Sequence, residues 1–294
     1  MDRKIVAQKG SFTVSLPKPW AKKHNLQAGN SLFVSEQSNS LTYSIDEQKT
    51  SRKELSLEFE EFTASIIRTA LSGAYKGGYS HIQLMFKEEY SFIALQDIVS
   101  EFVGFILDDS KPLTATVVNQ INFQDISVQK NVDKLFSLLD YSFIVVQKLL
   151  YQNEGRVDEL MKLIRSSLQQ RDYLLRAIYV SESEGAKQTL YSFVESLEKL
   201  NSGLKRAVEE YKHTSHFAKQ FPEESFIALH TQFKKLRNIF STKNHGDLVK
   251  VTKSVRLLKN KFNFAPSYVL LSENLFTISS RLTPITFLEF KKIL

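Results

Sequence analysis

Hydrophobic positions along this chain change their period twice, and each change marks a different kind of structure. In the first 46 residues they alternate. Phe12, Val14 and Leu16 fall on one side of a segment whose other side carries Thr13 and Ser15, the period of a strand. A strand-like run over 3–8 precedes it, and Lys9-Gly10 supplies the turn between them. Pro17 suits the first turn of a short helix, where a missing N–H costs nothing. That helix carries Trp20, Ala21, Lys22 and Lys23 and ends near His24-Asn25. Gly29-Asn30 is a turn pair. Two more strands follow over 31–36 and 41–45, with Leu41, Tyr43 and Ile45 alternating and Ser38-Asn39-Ser40 as a hairpin loop.

A polar stretch over 49–53 reads as a linker. Strand and helix patterns then take turns from 54 to 123. Strands are expected over 55–59, 81–86 and 113–121. Helices are expected over 62–75, closed by Gly77-Gly78, and over 92–107. This βαβαβ order implies a small sheet with helices packed on it. From Ile126 onward the apolar residues recur every three or four positions. The stripe of Phe193, Leu197, Leu200, Leu204, Val208 and Tyr211 is the cleanest of six. Three helices precede Pro222 and three follow it, the last bent or interrupted by Pro284. Residues 192–200 align with 267–275 through Ser192/Ser267, Phe193/Tyr268, Val194/Val269, Glu198/Glu273 and Leu200/Leu275, and Arg206 later matches Arg281. Two related three-helix units are expected. The fold class is therefore α+β, predominantly α, in three domains: 1–46, 54–123 and 126–294.

Composition narrows the function. No apolar run approaches the roughly 20 residues that span a bilayer, and the N-terminus has no signal-peptide core. Cysteine is absent, which removes disulfides and thiolate metal or redox sites. The expected location is cytoplasmic. The net charge of +7 is a mild excess, but its distribution is uneven. Arg3, Lys4, Lys9, Lys18, Lys22 and Lys23 face a single acid, Asp2, in the first 30 residues. Lys18 and Lys22 are four apart and share a helix face. These six residues are the candidate contacts to an anionic partner, with Arg3 suited to bidentate base contact. The same residues also fit a solvated face that keeps the chain soluble.

Enzyme chemistry finds no support in the residues. The chain has no GxxxxGK[ST], GxGxxG, nucleophile elbow or HExxH pattern. His213 and His216 have a spacing a metal could use, but no third ligand is near them in sequence. The 22 phenylalanines fall on apolar stripes, so they read as core and not as base-stacking platforms. No enzyme activity, metal or cofactor is expected.

Two resemblances sharpen this reading. Val14-Ser-Leu-Pro17, the basic helix over 18–24, Leu26-Gln-Ala-Gly29-Asn30 and the alternating strands resemble the AbrB/MazE/SpoVT swapped-hairpin DNA-binding domains. That resemblance implies a dimer in which two chains interleave their hairpins into one β-barrel and bind double-stranded DNA. One departure is Asn30, where the family commonly has Asp. The rest of the chain resembles the archaeal PhoU-like proteins, through Ala74-Tyr-Lys-Gly-Gly-Tyr79, Ser196-Leu-Glu198-Lys-Leu200 and the domain order. This implies a PhoU-like bundle and a link to phosphate uptake. PhoU helices often carry an acid followed four residues later by Asp, a pair that can hold metal. Here Glu198 is followed by Ser202 and Glu273 by Thr277, which leaves Asp158, Glu159 and Asp172 as the other candidate acids.

The expectation is a homodimeric DNA-binding transcriptional regulator of phosphate uptake or phosphate response, with a helical sensing domain. The alternative is an adaptor that does not bind DNA. In it the barrel only dimerises the chain, and the bundle docks on a phosphate transporter ATPase or a sensor.

Overall fold

A computed structural model describes residues 4–8, 10–37, 40–45, 53–123, 126–181, 184–213, 221–261 and 265–290. The chain divides into two compact units, Met1–Ser51 and Arg52–Leu294.

The first unit is built from two hairpins and a short helix. Strands β1 (Ile5–Gln8) and β2 (Ser11–Val14) pair antiparallel, with Ile5 opposite Val14 and Ala7 opposite Phe12. The turn uses Gly10 at φ +86°, a left-handed value that favours glycine. Helix α1 (Lys18–Lys23) starts just after Pro17, which occupies the N-cap, while Pro19 sits in its first turn. Strands β3 (Phe33–Gln37) and β4 (Ser40–Ser44) form the second hairpin, with Val34 opposite Tyr43. The two hairpins are separate two-stranded sheets, and no closed barrel forms among the described residues. The loop residues Ser38 and Asn39 and most of the expected linker lie outside the described residues.

The second unit begins with a four-stranded sheet in the order β5-β6-β8-β7. Strand β5 (Glu54–Phe59), helix α2 (Ala64–Lys76) and β6 (His81–Phe86) form a parallel crossover. Helix α3 (Phe92–Ser100) stops seven residues before the expected end. The chain then turns at Gly104, whose φ is +90° and where a Cβ would lie 2.7 Å from the Ile121 side chain. The apolar run Phe105-Ile106-Leu107 starts a strand instead. This strand, β7 (Phe105–Lys111), hairpins with β8 (Thr114–Asn119), and β8 pairs antiparallel with β6. The expected βαβαβ order is thus corrected to βαβαββ, because a left-handed residue ends the helix and its apolar tail pairs as an edge strand.

Among the described residues six long helices complete the unit. Helix α4 (Val128–Gln147) runs into a π turn over Lys148–Gln152 that ends at Asn153, with φ +52°. Then come α5 (Val157–Ser181), α6 (Glu184–His213), α7 (Glu223–Thr242), α8 (His245–Lys261) and α9 (Pro266–Phe290). Helix α9 runs past Pro284 without a break. Helices α4, α5 and α6 pack together, as do α7, α8 and α9, and the trios meet along α6 with α9 and α4 with α7. Gly203 lets α6 approach α9 closely, since a Cβ there would come within 2.7 Å of Leu271. The phenylalanines fill this core: Phe136 meets Phe193, Phe233 and Phe240 ring to ring.

Helix α5 serves two cores at once. Leu174, Leu175 and Ile178 pack into the bundle, while Ala177 and Tyr173 pack against the sheet layer. Arg176 lies fully buried at this joint. Its Nη1 donates to the Tyr75 carbonyl at 2.8 Å, and its guanidinium is 4.9 Å from the ring centres of Tyr75 and Phe123 and 5.3 Å from that of Phe105. A second tie lies at the end of α2, where Lys53 Nζ donates to the Gly77 carbonyl and the Tyr179 hydroxyl, each at 2.9 Å. Gly78, at φ +77°, leaves room there for the Tyr179 ring.

Candidate nucleic-acid interface

The short helix presents its lysines to solvent. Lys18, Lys22 and Lys23 are all exposed, and Lys4 is exposed just ahead of β1. Arg3 and Lys9 lie outside the described residues. Lys22 and Lys23 occupy the last turn of α1, where cations complement the helix dipole, and no acid stands in its first turn. The other side of α1 carries the half-buried Trp20 and Ala21. Trp20 lies 5.2 Å from the His24 ring, ring centre to ring centre.

The loop after α1 is fixed by local hydrogen bonds. Asn25 adopts φ +54°, and Leu26 N–H donates back to the Ala21 carbonyl at 2.9 Å. The Gln27 N–H donates to Asn30 Oδ1 at 2.6 Å, and the Asn30 N–H returns to the Gln27 carbonyl at 3.1 Å. A carboxamide oxygen thus closes the turn that an Asp carboxylate could close, so the Asn30 departure keeps the geometry.

The apolar faces of the unit are bare. Between 4 and 45, none of the residues whose burial is described is buried. Phe12 is 80% exposed, Ile5 67%, Leu41 58% and Val34 55%. By register, Ile5, Ala7, Phe12 and Val14 share one face of the first hairpin, and Val34, Leu41 and Tyr43 share one face of the second. Two clean strand-period faces therefore exist with nothing from their own unit to cover them.

The acids noted in the bundle are engaged with other side chains or scattered. Glu159 accepts from the Tyr141 hydroxyl at 2.9 Å. Asp172 accepts from Arg171 Nε at 2.8 Å, and Arg171 Nη1 reaches Glu198 at 3.2 Å. Burial pushes the Glu198 carboxyl above its usual range, against the pull of Arg171. Among the described residues no group of three or more His, Asp or Glu is placed to hold a metal ion. His213 is exposed, and its intended partner His216 lies outside the described residues.

One buried titratable pair was not visible in the sequence. His230 on α7 is buried, stacks on Phe143 with ring centres 4.8 Å apart, and donates through Nε2 to Asp140 Oδ1 at 2.6 Å. The two residues are 90 positions apart, so no local spacing signals them. Burial lowers the His230 pKa below its ordinary 6.5, with Lys234 assisting, although Asp140 opposes the shift. The unfolded chain therefore binds a proton at this residue at higher pH than the folded chain does. The stability this neutral imidazole contributes is present above about pH 6.5 and falls as pH drops through that value. Urea midpoints measured from pH 7.5 to 5 should decline less in His230→Gln than in the unsubstituted protein; equal declines would refute this assignment.

Comparison of the chain with family models, curated proteins and solved structures finds no match.

Proposed function

We propose that this chain is a homodimeric DNA-binding transcriptional regulator whose helical body senses a signal. The observation that carries the reading is the pair of bare apolar faces flanking a lysine-bearing helix in the first unit. A segment of about fifty residues cannot bury enough apolar surface alone. A second copy, its hairpins interleaved with the first, would cover Ile5, Phe12, Val34 and Leu41 and close the swapped-hairpin barrel that the AbrB-type resemblance implies. The lysines of the two copies would then form a two-fold basic surface suited to a roughly palindromic duplex. Lys4, Lys9, Lys18, Lys22 and Lys23 neutralise phosphates in this reading, and Arg3 reads a base edge.

The resemblance of residues 54–294 to the archaeal PhoU-like proteins supports an α/β segment followed by a PhoU-like bundle of two three-helix repeats. It also supports phosphate uptake or phosphate response as the process controlled, in the cytoplasm. No helix among the described residues is long and apolar enough to cross a membrane. The test is binding of the full chain to duplex fragments upstream of phosphate-transport genes over a salt series, with the oligomeric state read by sedimentation. The expected result is a dimer whose log affinity falls linearly with log salt. A monomer would overturn both readings, and a dimer without retained DNA that co-purifies with a phosphate transporter ATPase would replace this one with the adaptor one.

A further inference from the structure

A cleft of about 910 Å3 opens in the second unit between α2 and α5, beside the end of α3. Its charge is unbalanced. Arg68, Lys76, Arg165 and Arg171 line it against Glu101 and Asp172, four cations to two acids. Both acids are already held. Glu101 receives Arg68 through both oxygens at 2.8 to 3.0 Å, and Asp172 receives Arg171 at 2.8 Å. Lys76 and Arg165 have neither an ion pair nor a hydrogen bond among the described residues. Each side of the cleft thus offers one unneutralised cation, and each is backed by a paired one.

Gly73 adds a second, independent observation. It lies in the last turn of α2, exposed to the cleft, and glycine is among the poorest helix formers. Gly77, Gly78, Gly104 and Gly203 are each explained by a close neighbour or a left-handed φ, but a Cβ on Gly73 would meet no atom within 4 Å. Packing does not require glycine here. Its bare backbone does leave the cleft wall open about one helical turn from Lys76 and beside Ser72, with Leu168 an apolar residue of the α5 wall.

We propose that this cleft binds a phosphorylated metabolite of nucleotide size, with its phosphates on Arg165 and Lys76 and its organic part over Gly73 and Leu168. The volume falls within the range of small-molecule sites and exceeds what a lone phosphate fills. Two unpaired cations, one from each helix wall, suit a multiply charged anion. The site stands whether or not the first unit reads DNA.

Calorimetric titration of the full chain with ADP, without DNA, tests it, with pyrophosphate and citrate as comparison probes. One saturable ADP site per chain is expected. Arg165→Ala or Lys76→Ala should weaken it about tenfold, the worth of one charged hydrogen bond. Gly73→Leu should abolish it while leaving the thermal midpoint equal or higher. Pyrophosphate binding that is weaker but sensitive to the same variants would support the organic subsite. No saturable binding of ADP or pyrophosphate up to millimolar concentration would overturn the proposal. So would affinity unchanged in both Arg165→Ala and Gly73→Leu, or citrate binding as tightly as ADP. If Gly73→Leu misfolds, exposed Arg165 still decides the matter.

Discussion

Reversing two charges on α1, Lys18→Glu with Lys22→Glu, is expected to cost about a thousandfold in DNA affinity at moderate salt and to leave the dimer intact. Both side chains are exposed and neither supports a core, so the fold of the unit does not depend on them. In the proposed dimer Lys18, Lys22 and Lys23 would supply six phosphate contacts. Each contact contributes about 0.9 to the slope of log affinity against log salt, so α1 alone accounts for a slope of about −5. The double variant removes four of the six contacts and sets four carboxylates against the phosphates. The slope should become shallower by about 3.6, the four lost contacts at about 0.9 each. Fluorescence anisotropy on one duplex over a salt series reads both quantities, and Lys18→Arg with Lys22→Arg serves as the control that keeps the charge. An unchanged slope in the Glu variant would move the DNA contacts away from α1 and weaken the regulator reading.

The same helix shows what a single sequence makes legible. Its start after Pro17, its basic face and the turn at Gly29-Asn30 are local events, set by φ restrictions and side-chain hydrogen bonds within five residues. The long stripes of α4 to α9 were equally plain, because one buried face of a helix repeats every turn. Strand β7 was not, since Phe102 to Leu107 is apolar throughout and has neither period. Only Gly104 and the pairing with β8 turn it into a strand. The partner of an apolar face is harder still to read. The alternation in both N-terminal hairpins announces buried faces, yet among the described residues of their own unit those faces stay open. The His230–Asp140 pair, the Arg68–Glu101 pair and the cleft between α2 and α5 each join residues far apart in sequence. Gly73, in the last turn of α2, takes its meaning only from the open space beside it.

Arg176 illustrates this most sharply and carries the largest expected effect on stability. Its charge suggests an outward-facing residue of α5, yet it is only 2% exposed. The reason is that α5 has no outer face at this level, because the sheet layer covers it. Truncation by Arg176→Ala removes a fully buried long side chain and three cation–ring contacts, so it should cost about 3–5 kcal/mol in unfolding free energy. The Tyr75 carbonyl is not orphaned by the change, because it also accepts from Gly78 N–H at 3.1 Å. Against this loss stands the cost of burying the charge. Burial pushes the Arg176 pKa down to about 10, and its Nε has no hydrogen-bond partner among the described residues. A buried charge of this kind can be replaced by an apolar group of similar length at little cost. Arg176→Met is therefore expected to cost less than half as much as Arg176→Ala. Because the side chain joins the sheet layer to the bundle, the Ala variant should also unfold in two steps, the sheet layer before the helices. Urea titrations followed by tyrosine fluorescence and by helical circular dichroism would separate those steps. Coincident curves with a loss under about 1 kcal/mol would show that the joint is held by apolar packing alone.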